Sequence, residues 1–190
     1  MGTGRVPPRN QRQQYADDLC AGLDAQRIAA TLSADLGVAI PAPTKDPIAR
    51  DGADVPPSWA DCELHFGDGQ ALYPYACGRF RQLAVQVASV PPDTVIDQRT
   101  YSSADEWLTG AQEISLSLND TPTERTPTGD FARDQDLGRA VGDNVLDVLL
   151  SDNSESASKA VCPALVTAFT HLADIAQPTV ERLGAFPPID

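Results

Sequence analysis

The sequence predicts an α+β domain in which an antiparallel sheet packs against N- and C-terminal helices and two disulfides staple the layers together. Apolar residues at every second position lie in the middle of the chain, and apolar residues at helical spacing lie toward its two ends. The four cysteines are even in number and widely dispersed.

The first helix is expected between Asp24 and Gly37. The Asp24 carboxylate can accept a bond from the amides of the first turn, and Gly37 is a good stop. Ile28, Leu32 and Leu36 recur every four residues, with Leu23 ahead of the cap, which gives one apolar stripe. Cys20 then lies where the chain enters the helix. Residues 1–14, with Arg5, Arg9 and Arg12 among prolines and polar residues, read as a flexible leader. Residues 15–190 are left as a single globular domain, since a chain of 190 residues has enough length for one core.

"WADCELHFGDGQ" is the clearest strand. Cys62, Leu64 and Phe66 point to one face, Glu63 and His65 to the other, and Gly67-Asp68-Gly69 supplies a turn. "RFRQLAVQVASV" alternates again, with Leu83, Val85 and Val87 inward, and pairs antiparallel with the first. Pro74 makes the intervening "ALYPYACG" an excursion rather than a tight hairpin. In "YSSADEWLTGAQEI", Ser103 and Glu106 form a capping box that opens a helix carrying Trp107, Leu108 and Ala111. Residues 118–130 are turn-rich and read as a mobile loop. "DNVLDVLLSD" fits a strand with Leu146, Val148 and Leu150 inward, yet Leu137, Val141, Val145 and Val148 also fit a helical stripe. Periodicity leaves residues 137–150 open between helix and strand. Val161, Leu165, Ala168, Phe169 and Leu172 share a helical face, and Pro163 belongs in that helix's first turn.

Charge excludes some functions. With 14 basic and 27 acidic residues the net charge is −13, so the surface is unsuited to nucleic acid or to anionic lipid. No apolar run reaches the roughly 18 residues needed to span a bilayer, and the polar "MGTGRVPPRN" is not a secretory signal. Membrane attachment is expected only through a tether absent from this sequence.

No C-x-x-C pair occurs, and with His65 and His171 the only histidines, a zinc site would need distant single residues. Neither a metal nor a cofactor is expected. Buried cytosolic thiols are the competing reading for Cys20, Cys62, Cys77 and Cys162; structural disulfides are favoured and imply an oxidising compartment. Three pairings are open. Cys62 with Cys77 would be a local bridge, but Pro74 disfavours a regular cross-strand partner, and Cys62 faces the interior shared with the helix after Cys20.

Enzyme signatures such as G-x-S-x-G, H-E-x-x-H and a P-loop are missing, so no catalytic residue is assigned. Glu63 and His65 are the one nameable acid/base pair. Asp134, Asp136 and Asp143 invite a calcium reading, which fails at the positions of Gly138 and Val145. The segment "ALYPYACGRFRQ" concentrates Tyr73, Tyr75, Arg79, Phe80 and Arg81 in an acidic protein, and these types are enriched at interfaces. They are the candidate binding residues. The competing account has the aromatics closing the core and the arginines neutralising carboxylates.

The order of "DLCAGLD", a short capped helix, a proline-rich loop, "WADCELHF", "LAVQV" and a cysteine-bearing C-terminal helix resembles small secreted lipoproteins and sensor ectodomains of actinobacteria. Twelve of the 14 basic residues are arginine, as in proteins of high-GC genomes. The resemblance implies a helix-flanked antiparallel sheet tethered to a membrane, and it pairs the helix-entry cysteine with the strand cysteine, Cys20 with Cys62. Cys77 and Cys162 are then left for each other. The expected function is a non-catalytic extracytoplasmic sensor or protein-interaction domain of a bacterial cell envelope, with a protein or a small envelope ligand as partner. The alternatives are a small envelope hydrolase or transferase and a periplasmic carrier of an apolar ligand.

Overall fold

Side chains at 60, 62 and 64, at 83, 85 and 87, and at 146, 148 and 150 are apolar and buried, and this alternation organises the chain into layers. The structure, a computed structural model, describes residues 8–51, 58–96, 98–110, 124–133, 135–151 and 161–187. In chain order these form α1 (Pro8–Gly22), α2 (Ala25–Leu36), β1 (Thr44–Asp51), β2 (Ser58–His65), β3 (Tyr73–Tyr75), β4 (Gly78–Phe80) and β5 (Gln82–Ser89). There follow β6 (Thr94–Ile96), β7 (Arg99–Tyr101), α3 (residues 104–110), β8 (Glu124–Arg125), β9 (Phe131–Ala132), β10 (Asp136–Val141), β11 (Asn144–Ser151) and α4 (Pro163–Leu183). Seven strands make one antiparallel sheet in the order β1-β2-β5-β11-β10-β9-β8, while β3–β4 and β6–β7 are separate hairpins.

Helices α1, α2 and α4 cover one face. Leu64, Val85 and Val148 meet Leu19, Ile28, Phe169 and Leu172 in the main core, so the space between sheet and helices is filled by side chains. The opposite face carries a second apolar cluster, in which Trp107 and Leu108 of α3 and Ile96 and Tyr101 of the β6–β7 hairpin cover Phe131 and Val145. Toward β1 and β2 that face is polar.

The helix ends follow their expected chemistry. Asp24 Oδ1 accepts from the Arg27 amide at 3.0 Å, and Gly37 closes α2 at φ 70°, its amide donating to Ser33 O. The Ser103 hydroxyl accepts from the Glu106 amide, but the Glu106 carboxylate reaches back to the amide and hydroxyl of Ser102 rather than to Ser103. α4 begins with Pro163 directly after Cys162. Residues 137–150 are strands, because β11 is paired on both sides, by β5 and β10, and needs its backbone groups for two ladders. Ala111 and residues 118–123 lie outside the described residues; residues 124–132 form β8, a turn and β9.

The disulfides join Cys20 to Cys62 and Cys77 to Cys162, with Cα–Cα distances of 5.2 and 6.2 Å. Cys20 does not lead into the first helix, however. It sits in the last turn of an earlier one, α1, which starts at Pro8 inside the stretch expected to be a leader.

Three contacts make that segment helical and docked. Arg12 is buried, its guanidinium 5.3 Å from the Phe186 ring centroid and donating to Arg50 O. The Tyr15 hydroxyl donates to Gly184 O at 2.9 Å, and burial pushes its pKa up to about 12. Lys45 Nζ donates to Cys20 O and Leu23 O, both at 2.7 Å, capping the carbonyl end of α1 with a cation.

Gln13 has a separate task. β1 is an edge strand, and its outward-facing backbone meets the Gln13 amide, which donates to Pro47 O at 3.1 Å and accepts from the Ala49 amide at 3.3 Å. Pro47, with no N–H, is tolerated because that side of the strand has no ladder to complete. The side-chain amide thus occupies the place of a neighbouring strand.

Gln13→Ala should cost about 1 kcal/mol for the lost bonds and raise self-association by exposing the edge. Denaturation and sedimentation velocity read both; unchanged stability and an unchanged monomer fraction would show the edge to be guarded otherwise. Replacing each cysteine pair by serine should cost on the order of 4 kcal/mol in the chain-entropy limit, with the Cys77–Cys162 pair, which closes the longer loop, costing about 0.6 kcal/mol more. Equilibrium unfolding of the two double variants measures that difference.

Candidate functional site

Alternation in β2 sends Cys62 and Leu64 to the core and Asp61, Glu63 and His65 to the opposite face. The antiparallel register of β1 then sets Asp46 across from Glu63, Thr44 across from His65 and Ile48 across from Asp61. Arg50 organises the carboxylates: its Nε donates to Asp61 Oδ2 and its Nη2 to Glu63 Oε1 at 2.8 Å. His65 Nε2 lies 3.3 Å from the other oxygen of Glu63, Oε2. One donor atom each from Asp46, Glu63 and His65 falls within 4.8 Å of the other two, a set that could hold a cation.

Asp61 is almost fully buried, and that burial raises its pKa while the Arg50 guanidinium opposes the rise. The Trp59 indole acts in the same direction as Arg50, lowering the carboxyl's pKa. Arg50 in turn is held charged more firmly, chiefly by the bond to Asp61. Chemically this is a charged strip with an imidazole at one end, able to bind cations or to hydrogen-bond a polar partner. The acid/base pair Glu63 and His65 is brought together, but one oxygen of Glu63 is taken by Arg50.

The same cross-strand row contains a second carboxyl, that of the half-buried Asp147, whose Oδ1 is enclosed. Asp61 pairs with Gln86 and Gln86 with Asp147, and Asp147 faces Gly138 of β10. A Cβ on Gly138 would stand 2.7 Å from both Asp147 Oδ1 and Leu108 Cδ2, so the glycine makes the room that the carboxyl occupies beneath α3. Asp147 Oδ1 has no partner. Burial, and then the nearby Asp136 carboxylate, push the Asp147 pKa up to about 7, with Arg133 pulling the other way.

The candidate binding residues are divided by the β3–β4 hairpin. Phe80 and Tyr75 are buried and Tyr73 half-buried, and Phe80 is the hub, 5.8 Å from both Phe66 and Tyr73 and 6.2 Å from Tyr75 by ring centroids. Arg79, across from Pro74, is exposed; Arg81 is half-buried. The aromatics therefore converge on the core, and of the two arginines Arg79 is the one fully at the surface. Cys77 in the hairpin turn is bonded to Cys162 and fixes this unit to the start of α4.

A cleft of about 490 Å³ lies where β9 ends and leaves the second half of β10 without a neighbour on that side. Arg139 anchors it. Its Nε and Nη2 bind the two oxygens of the buried Asp130 at 2.7 and 2.8 Å, and its Nη1 reaches Asp174 Oδ1 at 2.7 Å and Gln177 Oε1 at 3.0 Å on α4. These bonds raise the pKa of Arg139, that to Asp130 most. Arg125 stacks over Phe131 at 4.7 Å and pairs with Asp105. Of the calcium candidates, Asp136 lies in β10 and Asp143 in the β10–β11 turn, and Asp134 is outside the described residues. His171 is exposed and paired with Asp35 at 2.7 Å.

Asp147 predicts a pH dependence whose sign follows from its raised pKa. The folded state keeps the proton that the unfolded state loses near pH 4, so this group's contribution is complete below that pH and is lost as pH rises through about 7. Asp147→Asn should flatten that decline and stabilise the protein at pH 8 by a few kcal/mol, at 1.36 kcal/mol per unit. Urea unfolding from pH 4 to pH 8 checks it; parallel profiles for the two proteins would remove Asp147 as the cause. Arg139→Ala leaves Asp130 buried without its cation and should cost about 3–5 kcal/mol in the same assay at pH 7.

In comparisons with known proteins the chain matches no family model, no curated protein and no solved structure.

Proposed function

We propose that the chain is a non-catalytic sensor or protein-interaction domain that works outside the cytoplasm, in a bacterial cell envelope of the actinobacterial type its composition and order of elements resemble. The observation that carries this reading is the pair of disulfides. All four cysteines are bonded, each bridge ties a helix to a different part of the β structure, and such staples persist in oxidising compartments.

Recognition is assigned to surface groups on rigid supports. The β3–β4 hairpin, held by its aromatic hub and by Cys77–Cys162, presents Arg79 outward. A carrier of apolar ligands is less well supported, because a guest between sheet and helices would displace Leu64, Val85, Val148 and their helical partners. An enzyme built on Glu63 and His65 has their 3.3 Å contact in its favour, and it is distinguishable by one substitution.

The test has two arms. Thiols trapped by alkylation in cells making the protein should be oxidised; thiols that react freely in the native compartment would overturn the localisation. A photoreactive residue placed beside position 79 should cross-link an envelope component, and Arg79→Ala with Arg81→Ala should weaken that complex about tenfold or more while leaving the domain folded, as expected of interface arginines. Unaltered affinity would remove the hairpin from the interface. Loss of the native phenotype in His65→Ala at constant stability would favour the enzyme instead.

A further inference from the structure

We propose that Asp46, Glu63 and His65 bind a divalent transition-metal ion of the zinc class on the polar face of β1 and β2. An imidazole with two carboxylates is a borderline donor set that suits zinc and its neighbours better than calcium or magnesium. The three donors are placed by backbone pairing rather than by a loop. Glu63 and His65 are two residues apart on one strand, and Asp46 is the direct cross-strand partner of Glu63.

Distance and charge both point to a shared cation. Two ligands about 2.1 Å from an ion at the tetrahedral angle are roughly 3.4 Å apart, and His65 Nε2 and Glu63 Oε2 are 3.3 Å apart. That is longer than the usual N–H···O bond. Asp46 and Glu63 are like charges directly opposite one another, an arrangement that destabilises a sheet unless something stands between them. Arg50 compensates only in part, since its guanidinium is divided between Glu63 Oε1 and Asp61, and Asp46 makes no hydrogen bond or ion pair with a described residue.

Arg50 has a second effect. By holding Oε1 of Glu63 it leaves Oε2 on the side of the imidazole, the role that outer hydrogen bonds play in orienting metal ligands. Asp61, with side-chain exposure of 2%, lies two residues along the same face and anchors Arg50 there. Asp46 is exposed and the other two donors half-buried, so a fourth position is open to water or to a donor from a partner molecule.

Binding by the isolated chain does not depend on the interaction reading, so the two fail separately. The experiment is a calorimetric titration of the full, disulfide-intact protein with Zn²⁺, paired with visible absorption of the Co²⁺ complex. Saturable binding of about one ion per chain is expected, with Co²⁺ bands of four-coordinate intensity. His65→Ala and Glu63→Gln should each weaken Zn²⁺ by at least about tenfold, and Asp105→Asn, at the distant cleft, should change nothing. Far-ultraviolet circular dichroism confirms that the surface variants are folded. Absence of saturable Zn²⁺ binding would overturn the site, and so would equal affinity in His65→Ala, which would mean that carboxylates collect cations without the imidazole.

Discussion

The bond between Cys20 and Cys62 fixes the position of α1, and much of the rest follows from where α1 sits. Its sequence, PRNQRQQYADDLCAG, is mostly polar and starts with proline, and a helix of 15 residues with so little apolar surface is marginal by itself in water. Joined covalently at its last turn to β2, it presents Gln13 to the edge strand, Arg12 to Phe186 and Tyr15 to Gly184. The close approach of α1 to α4 depends on Gly22 as well, because a side chain there would overlap Thr179.

At the far end the same region is pinned by polar bonds instead. Asn144 is buried at the start of β11 and both donates to Gly184 O and accepts from the Phe186 amide. The tail after α4 is thereby folded back onto the sheet, where Phe186 meets Tyr15 edge-on at 5.2 Å. One covalent link at β2 and one buried amide at the start of β11 thus hold the first helix and the residues after α4 against the sheet. Across the sheet, Arg139 does for α4 what Lys45 does for α1: a single cation from a strand satisfies groups on the helix packed over it.

Those arrangements explain what could be read from sequence. β2, β5 and α2 were legible because burial imposes a period, of two in Cys62, Leu64, Leu83 and Val85 and near four in Ile28 and Leu32. α4 showed the same helical stripe, and Cys20 with Cys62 was favoured among three open pairings by the inward side of β2 together with the resemblance, while the helix that carries Cys20 was not foreseen. β1 carried no such signal. An edge strand beneath a polar helix has Lys45, Asp46, Pro47 and Arg50 in its eight residues and buries little. α1 was hidden for a related reason, since an arginine and a tyrosine occupy its buried stripe. Glu63 and His65 could be placed together from alternation alone, whereas Asp46 and Arg50 join them only through the register of a strand without a pattern. Asp147 carried no signal in the sequence, because its oxygen is enclosed by Leu108 of α3 and by the room left at Gly138, which only the folded sheet brings to it.

The polar face is the costliest part of the design. Apolar packing by α3 covers one end of it, yet Asp61 and Asp147 are set into the same cross-strand row, Asp61 against Arg50 and Asp147 with an enclosed oxygen that no described donor reaches. At Asp147 the enclosed acceptor without a partner costs on the order of 1–3 kcal/mol, whereas at Asp61 the ion pair with Arg50 sets against the cost of burial. Along this face Asp61 anchors Arg50 and Arg50 holds Oε1 of Glu63, so the exposed end where His65 and Asp46 meet solvent is positioned from the buried one, while Asp147, whose folded form keeps its proton up to about pH 7, adds little charge. By contrast the β3–β4 hairpin, whose composition stands out in the sequence, uses its aromatics for packing and leaves chiefly Arg79 to the surface. The two surfaces therefore differ in how they are built: the hairpin presents Arg79 on a support fixed by packing and a disulfide, and the strip presents Glu63, His65 and Asp46 in positions set by Arg50 and by the register of β1.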